Sequence, residues 1–349
     1  MKKRIITFKV SALLLGLLIS ITLFSQEKEY QVVCLSFYNV ENLFDTLDTP
    51  DVRDTEFTPE GRNNWNTPKY FEKLDNLAKV ISKIGTDVTP DGPAILGISE
   101  IENKKVLEDL ARREAIASRN YQVVHYHSPD RRGIDVALLY QPKYFNVTNS
   151  KSYTLTVPDK EDFKTRDQLL VSGELHGELM HFIVGHWPSR SGGESRSRPL
   201  RIAAAQLGRH IIDSLQNLDP DAKVILMGDL NDNPDNKSVT DYLKAVPKEK
   251  NLDDDELYNP FYSFYQKGIG TSAWRDTWSL FDMVLLSKPL TEQDFSSYRF
   301  YKANVFNKKF LQQPTGRFKG YPHRSYAGGQ YLGGYSDHYP AYVILIKEK

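Results

Sequence analysis

The sequence predicts a mixed α/β fold of the α+β kind, in which strands outnumber helices and both halves of the chain share one domain. Three observations lead there. Short apolar runs bounded by turn residues recur along the chain, whereas few stretches carry the 3.6-residue period of an amphipathic helix. Neither an internal repeat nor a flexible Gly/Ser linker divides the 349 residues. Several apolar runs end abruptly in an acid, an amide or a histidine, and these polar strand ends come from both halves. They can meet only inside one fold.

The elements follow in order. Gln31 to Tyr38 alternates around Val33, Leu35 and Phe37 as a first strand and runs into Asn39-Val40-Glu41-Asn42. Asp45 to Asn66 is a polar surface loop. Thr67 as N-cap and Pro68 as first helical residue open a helix whose apolar positions are Phe71, Leu74, Ala78, Ile81 and Ile84, closed by Gly85. Ala94 to Ile98 is a strand ending at Ser99-Glu100, and Glu102 leads into a helix near Val106 to Ala117, where a helix-capping acid is the ordinary reading. Tyr121 to Tyr126 and Ile134 to Tyr140 form a hairpin around Ser128 to Gly133, with Asp135 intruding on the return limb. Leu169 to Leu175 and Leu179 to Val184 form another, running out into Gly185-His186-Trp187.

Arg190, Arg196, Arg198 and Arg201 surround the start of a helix expected from Pro199 to about Leu215, a favourable place for anions as well as an ordinary solvated face. Val224 to Met227 is a buried strand that delivers Asp229 and Asn231 on one side while the backbone stays extended, with Asp232 and Asn233 shaping the turn. Asp253 to Glu256 reads as a solvated loop, Tyr258 to Tyr265 is ambiguous, and Phe281 to Leu286 is a strand carrying Asp282. Tyr298 to Tyr335, rich in Tyr, Gly and Lys, is expected as long loops before Ser336-Asp337-His338 and a final strand, Ala341 to Ile346.

Composition sets limits. With 40% hydrophobic and 12% aromatic residues the chain can bury a large core. Lys+Arg and Asp+Glu each number 45, so no global field holds a polyanion and phosphate binding must be local. Lys2, Lys3, Arg4 and Lys9 precede the apolar run Val10 to Phe24, shorter than the ~20 residues of a spanning helix. A signal peptide over residues 1–25 is expected, giving an exported (periplasmic or secreted) domain over 26–349, with an N-terminal membrane anchor as the alternative. Cys34, the only cysteine, excludes an intrachain disulfide and a Cys-rich zinc site, and reads as a buried core thiol.

Taken together, Asn39 in Tyr-Asn-Val-Glu-Asn, Glu100 in Ile-Ser-Glu, Asp135 in Gly-Ile-Asp-Val-Ala, His186 in Gly-His-Trp, Asp229 and Asn231 in Gly-Asp-Leu-Asn, Asp282 in Phe-Asp-Met-Val and Asp337-His338 in Ser-Asp-His resemble the endonuclease/exonuclease/phosphatase superfamily, the deoxyribonuclease I-like fold. The resemblance implies a four-layer sandwich of two face-to-face β-sheets flanked by helices. It further implies hydrolysis of a phosphate ester with a divalent cation, Mg²⁺ first, Mn²⁺ or Ca²⁺ as alternatives. By the match, Glu100 is the principal metal ligand, helped by Asn39 and Asp337. Asp229 orients or deprotonates the attacking water, and Asn231 holds the scissile phosphate. His338 contacts the phosphate and is oriented by Asp282, while His186 pairs with Asp135 across neighbouring strands. A carboxylate beside an imidazole fixes its tautomer and raises its pKa.

Substrate is less determined, because one centre of this kind serves DNA, RNA, inositol phosphates and sphingomyelin. Abasic-site repair members usually carry Asn where this chain has His186, and the longer signatures of inositol polyphosphate 5-phosphatases are missing around Asp282 and Asp337. The first expectation is a nuclease-like phosphodiesterase with Arg131 or Arg132 and the Arg190 to Arg201 segment on phosphates. The alternative is a phosphomonoesterase or sphingomyelinase-like phospholipase using Tyr321 to Tyr335 as a lipid- or sugar-facing loop. A noncatalytic binding protein on the same scaffold is the third reading. The phosphate-ester substrate is the only partner expected, of a monomer.

Overall fold

A computed structural model describes residues 28–349, so the expected signal peptide lies outside the described residues. The first half of the chain forms β1 (Tyr30–Leu43), β2 (Pro93–Ile101), β3 (Gln122–His125), β4 (Asp135–Tyr140), β5 (Phe145–Tyr153), β6 (Gln168–Leu175) and β7 (Glu178–His186). The second adds β8 (Val224–Asp229), β9 (Ala245–Val246), β10 (Leu257–Tyr258), β11 (Ser272–Trp274), β12 (Thr277–Ser279), β13 (Asp282–Ser287), β14 (Arg299–Val305), β15 (Tyr326–Ala327), β16 (Gln330–Tyr331) and β17 (Ala341–Glu348). One sheet has the order β14-β17-β1-β2-β4-β3 and the other β5-β6-β7-β8-β13-β10-β9.

The sheets face each other over the apolar core. At Gly97 of β2 a Cβ would come within 2.5 Å of the Met227 sulfur of β8, so the sheets approach too closely there for a side chain. Helix Thr67–Ile81 buries Leu74, Leu77, Ala78 and Ile81 and packs with helix Lys104–Ala111 outside the first sheet. Helix Glu194–Gln216 covers the second, its Ala204 carbonyl accepting from Gln168 of β6 at 2.7 Å. The four-layer sandwich expected from the sequence is the fold observed. Among the described residues, no helix is long and apolar enough to cross a membrane.

Several elements differ from the sequence reading. Asn66, not Thr67, caps the first helix, accepting from the Lys69 N–H at 3.2 Å. The helix expected near Val106 to Ala117 is two, Lys104–Ala111 and Glu114–Ala117. The long helix begins at Glu194 and carries Pro199 inside it, where Ser197 bonds back to the Gly193 carbonyl at 2.8 Å and receives Arg201 at 2.8 Å. Edge strands β5 and β14 were not foreseen, because an edge strand with one solvated face shows few buried apolar positions; in β5 only Phe145 is buried.

Strand direction explains why the polar ends collect. In the first sheet β1 and β2 are parallel and end where the antiparallel β4 and β17 begin. In the second, β7 and β8 are parallel and end where the antiparallel β13 begins. Asn39 and Asp229 join these two ends directly.

At the opposite pole Glu178 of β7 ties the sheets, receiving Lys223, Lys347 of β17 at 2.7 Å, Ser297 at 2.9 Å and the Tyr298 N–H at 3.1 Å. Burial opposes its charge, but these partners outweigh burial and hold its pKa at about 2, below the ordinary 4.5. A depressed folded-state pKa gives stability that is complete above about pH 4.5 and lost as pH falls toward 2. Glu178→Gln is expected to lower unfolding free energy by about 2–3 kcal/mol at pH 7. Urea titrations should show the difference shrinking below pH 4; a constant difference down to pH 2 would refute it.

Candidate active site

In the second sheet His186 pairs in register with Asp229, and Asp229 with Asp282, so adjacent strands present one row of side chains. Beneath them a Cβ at Gly228 would lie 2.3 Å from the Gly185 carbonyl, a contact only glycine permits. Asp229 is buried, its Oδ1 accepting the Asn231 N–H at 2.9 Å and its Oδ2 accepting Asn39 Nδ2 at 3.0 Å. His186 Nε2 lies 3.5 Å and His338 Nε2 3.9 Å from the same Oδ2. Burial raises the Asp229 pKa above the usual carboxylate range, against the pull of His338 and with help from Asp282.

The histidines differ in charge. Asp282 is fully buried and its Oδ2 accepts from His338 Nδ1 at 2.6 Å. Burial disfavours a charged His338, but Asp282 and Asp229 outweigh it and hold the imidazole well above its ordinary value. At His186 burial, reinforced by Arg166, Arg132 and His338, pushes the pKa well below the ordinary value, so this ring is neutral. Its Nδ1 has no partner.

The first sheet contributes Glu100 from a bulge, where the β2–β4 register jumps between Ser99 and Ile101. Glu100 has φ +62°, and Glu41, Asn42 and Asn231 around it also sit at φ of +51° to +52°, a concentration of strained backbone typical of functional sites. Glu100 Oε2 accepts the Asn42 N–H at 3.0 Å, and Oε1 lies 3.4 Å from Asn39 Nδ2, 3.9 Å from His186 and 4.0 Å from Arg132. No basic group closes on Oε1, so a hard oxygen donor is left facing the centre beside a second buried carboxylate, which suits a divalent cation. Asp337 flanks this group, bridged by Arg324 Nη2 at 2.5 Å to its carboxylate and by Arg324 Nε at 3.1 Å to Glu41.

Four expectations need correcting. Asp135 does not pair with His186: β4 lies in the other sheet, and the Asp135 carboxylate is taken by His125 at 2.8 Å, His127 at 3.1 Å and Ser128. Asn39, expected to help hold the metal, here presents its NH₂ to the two carboxylates while its Oδ1 accepts the Glu41 N–H at 3.0 Å. Asn231 is in the left-handed region, not extended, and donates to the Trp187 carbonyl at 2.9 Å. Arg190 is engaged by the Asn231 carbonyl at 2.8 Å and by Asp232 and Asn236 at 2.9 Å each, and Arg201 is fully buried against Asp232 at 2.7 Å. These arginines brace the loop after β8, leaving Arg132, half-exposed beside Glu100, as the predicted phosphate contact still facing the site.

The endonuclease/exonuclease/phosphatase family model matches residues 34–347, from within β1 to within β17, a span containing every residue placed at this centre. The chain belongs to that family. No curated protein sequence matches it significantly. Solved structures with the same fold include a family member from Bacteroides thetaiotaomicron (14% identity, TM-score 0.53, 92% of this chain and 97% of that one). Others are the mannosyl-6-phosphatase of B. thetaiotaomicron VPI-5482 (16%, 0.53, 90% and 99%) and D. rerio TDP2 complexed with single strand DNA product (14%, 0.54, 90% and 99%).

Three parts of this family site escaped the sequence reading. Arg166 is buried, donating to the Trp187 carbonyl at 2.6 Å and to Asp130 at 3.1 Å, and its charge helps keep His186 neutral. Its only signal was a charged residue three positions before the apolar run that opens at Leu169. Glu102 is no helix cap: Thr49 and the Asp45 N–H bond its carboxylate, holding the loop after β1, and Asn103 caps the helix. Lys73, buried on the first helix, donates to Ser325 at 2.5 Å and the Tyr335 carbonyl at 2.8 Å, which anchors the Arg324 segment to the scaffold.

Proposed function

We propose that this chain is a divalent-metal-dependent hydrolase of phosphate esters that prefers a compact leaving group. The supporting observation is the buried Asp282–His338 pair facing Asp229, with Glu100 brought alongside from the other sheet. Glu100, flanked by Asp337, would hold a hard cation such as Mg²⁺, which when bound would polarise the phosphoryl group and offset its charge. Asp229, oriented by Asn39 and the Asn231 N–H, accepts the proton of the attacking water. His338, kept charged by Asp282, meets the negative charge that develops on the phosphoryl oxygens. His186, neutral and buried, fills the floor between Glu100 and Asp229 without adding charge.

The preference for a compact group rests on a cavity of about 240 Å³ beside the Glu41–Arg324 pair, walled by Trp65 and Tyr326 and edged by Arg62 and Asn42. Guanidinium and amide donors with aromatic walls suit a sugar-sized group. The nuclease-like alternative draws support from Arg132, but Arg190 and Arg201 are engaged internally and Arg198 is paired with Glu194, which among the described residues leaves the exposed Arg196 as the free cation of the expected basic segment. Export and a monomeric state remain part of the proposal, export on the sequence of residues 1–26 alone.

One activity panel tests it: a hexose phosphate, a single-stranded DNA and sphingomyelin, each with Mg²⁺ or Mn²⁺ and with EDTA, and Asp229→Asn as control. EDTA-sensitive turnover is expected, with kcat/KM roughly tenfold or more higher for the hexose phosphate. Faster turnover of DNA or sphingomyelin would replace the compact-substrate reading, and tight binding without turnover of any ester would favour a noncatalytic role.

A further inference from the structure

The hairpin formed by β3 and β4 carries a cluster that the hydrolytic reading does not use. His125 ends β3, His127 follows two residues later, and Asp135 opens β4. His125 Nε2 at 2.8 Å and His127 Nδ1 at 3.1 Å converge on one oxygen, Asp135 Oδ2. The two rings stand at 88° with centroids 4.8 Å apart, and the three donor atoms lie within 4.8 Å of one another.

We propose that His125, His127 and Asp135 form a second cation site, which takes one divalent transition metal ion such as Zn²⁺ and is separate from the hydrolytic centre. Metal bonds to imidazole nitrogen and carboxylate oxygen are about 2.0–2.2 Å long, which puts neighbouring donors about 3 Å apart. The nitrogen–oxygen separations here already have that value, so a cation replaces the bridging protons with little movement of the backbone. The Asp135 oxygen that does not face the imidazoles is fixed by the Ser128 N–H at 2.8 Å and the Ser128 hydroxyl at 2.5 Å. That is the outer support that holds a metal-binding carboxylate in place.

Access and charge favour the same reading. The His125 and Asp135 side chains are buried, while His127 is 75% exposed, leaving one open side for entry and for bound water. Near them Asp167 is a second buried carboxylate, with one oxygen lacking a partner, and its charge adds to the attraction for a cation. Two imidazoles select Zn²⁺, Ni²⁺ or Cu²⁺ over Mg²⁺, whereas the oxygen donors around Glu100 select the opposite way, so the two sites sort their ions by ligand type. The loop between His127 and Asp135 also carries Arg132, which lies 4.0 Å from Glu100, so an ion here stiffens the segment that brings this arginine to the substrate.

Calorimetric titration of Zn²⁺ into the full chain, stripped with EDTA and then held in excess Mg²⁺, tests the assignment. One equivalent should bind both wild type and Glu100→Gln, with X-ray absorption reporting two imidazole ligands. His127→Ala, a change at an exposed side chain that leaves the fold intact by circular dichroism, should weaken binding by roughly tenfold or more. Failure of the wild type to bind Zn²⁺, or unchanged affinity in His127→Ala, would overturn the site. So would loss of the Zn²⁺ in Glu100→Gln, which would put the ion in the hydrolytic centre. None of these outcomes depends on the chain hydrolysing a phosphate ester.

Discussion

His338→Ala is expected to lower kcat about 10³-fold while changing KM by no more than a few-fold. The imidazole is held by a 2.6 Å bond from Nδ1 to Asp282 and turns Nε2 toward Asp229, the geometry of a group that acts on the reacting phosphoryl rather than on distant parts of the substrate. Its charge is maintained by two buried carboxylates, so its removal leaves Asp282 and Asp229 facing each other without a cation. Unfolding free energy should therefore fall as well, by about 3 kcal/mol, the cost typical of breaking a buried pair from one side. Asp282→Asn keeps the shape but loses the charge that holds His338 protonated, and should cost about 10²-fold in kcat, with the activity of the variant falling off at lower pH than that of the wild type. Steady-state kinetics on whichever ester the panel selects would decide the matter. If His338→Ala kept kcat within threefold of wild type, the imidazole would be a structural group only.

The residues in that prediction were legible in the sequence to different degrees, for physical reasons. Buried strands that stop abruptly are conspicuous, so Asp229 after Val224 to Met227 and Glu100 after Ala94 to Ile98 could be placed at strand ends from pattern alone. That Asp282 should bond His338, 56 residues away, has no signature in spacing; it came from the family resemblance. The same route failed for Asp135 and His186, because a carboxylate on a hairpin meets its nearest imidazoles first, and His125 and His127 stand just across the turn. Arg190 reads as an anion contact because its acceptors lie in the loop after β8, where Asp232 reads only as a turn residue, Asn231 as a phosphate contact, and Asn236 carries no signal. Strand identity follows from local hydrophobic pattern; which polar groups satisfy one another follows from register, and register is a property of the assembled sheets.

Asp229→Asn is expected to lower kcat by about 10³-fold, and its value lies in separating proton transfer from cation binding. The amide matches the carboxylate in size, and its oxygen can keep the Asn231 N–H now accepted by Asp229 Oδ1, so the loop after β8 should stay in place. What changes is Oδ2, which becomes an NH₂ facing the Asn39 NH₂ at the position of a present 3.0 Å hydrogen bond. Two donors then oppose each other, and no acceptor remains for a proton from water. If Asp229 is the proton acceptor, Mg²⁺ affinity measured by titration should change by less than about tenfold while kcat collapses, because the cation is held from Glu100 in the other sheet. If Asp229 is instead chiefly a ligand, the variant should lose Mg²⁺ affinity in proportion to its loss of rate, and raising Mg²⁺ should restore much of the activity. Recovery at high Mg²⁺ would therefore move Asp229 from base to ligand and leave the proton to His186, whose neutral ring has its Nε2 3.5 Å from the same carboxylate oxygen.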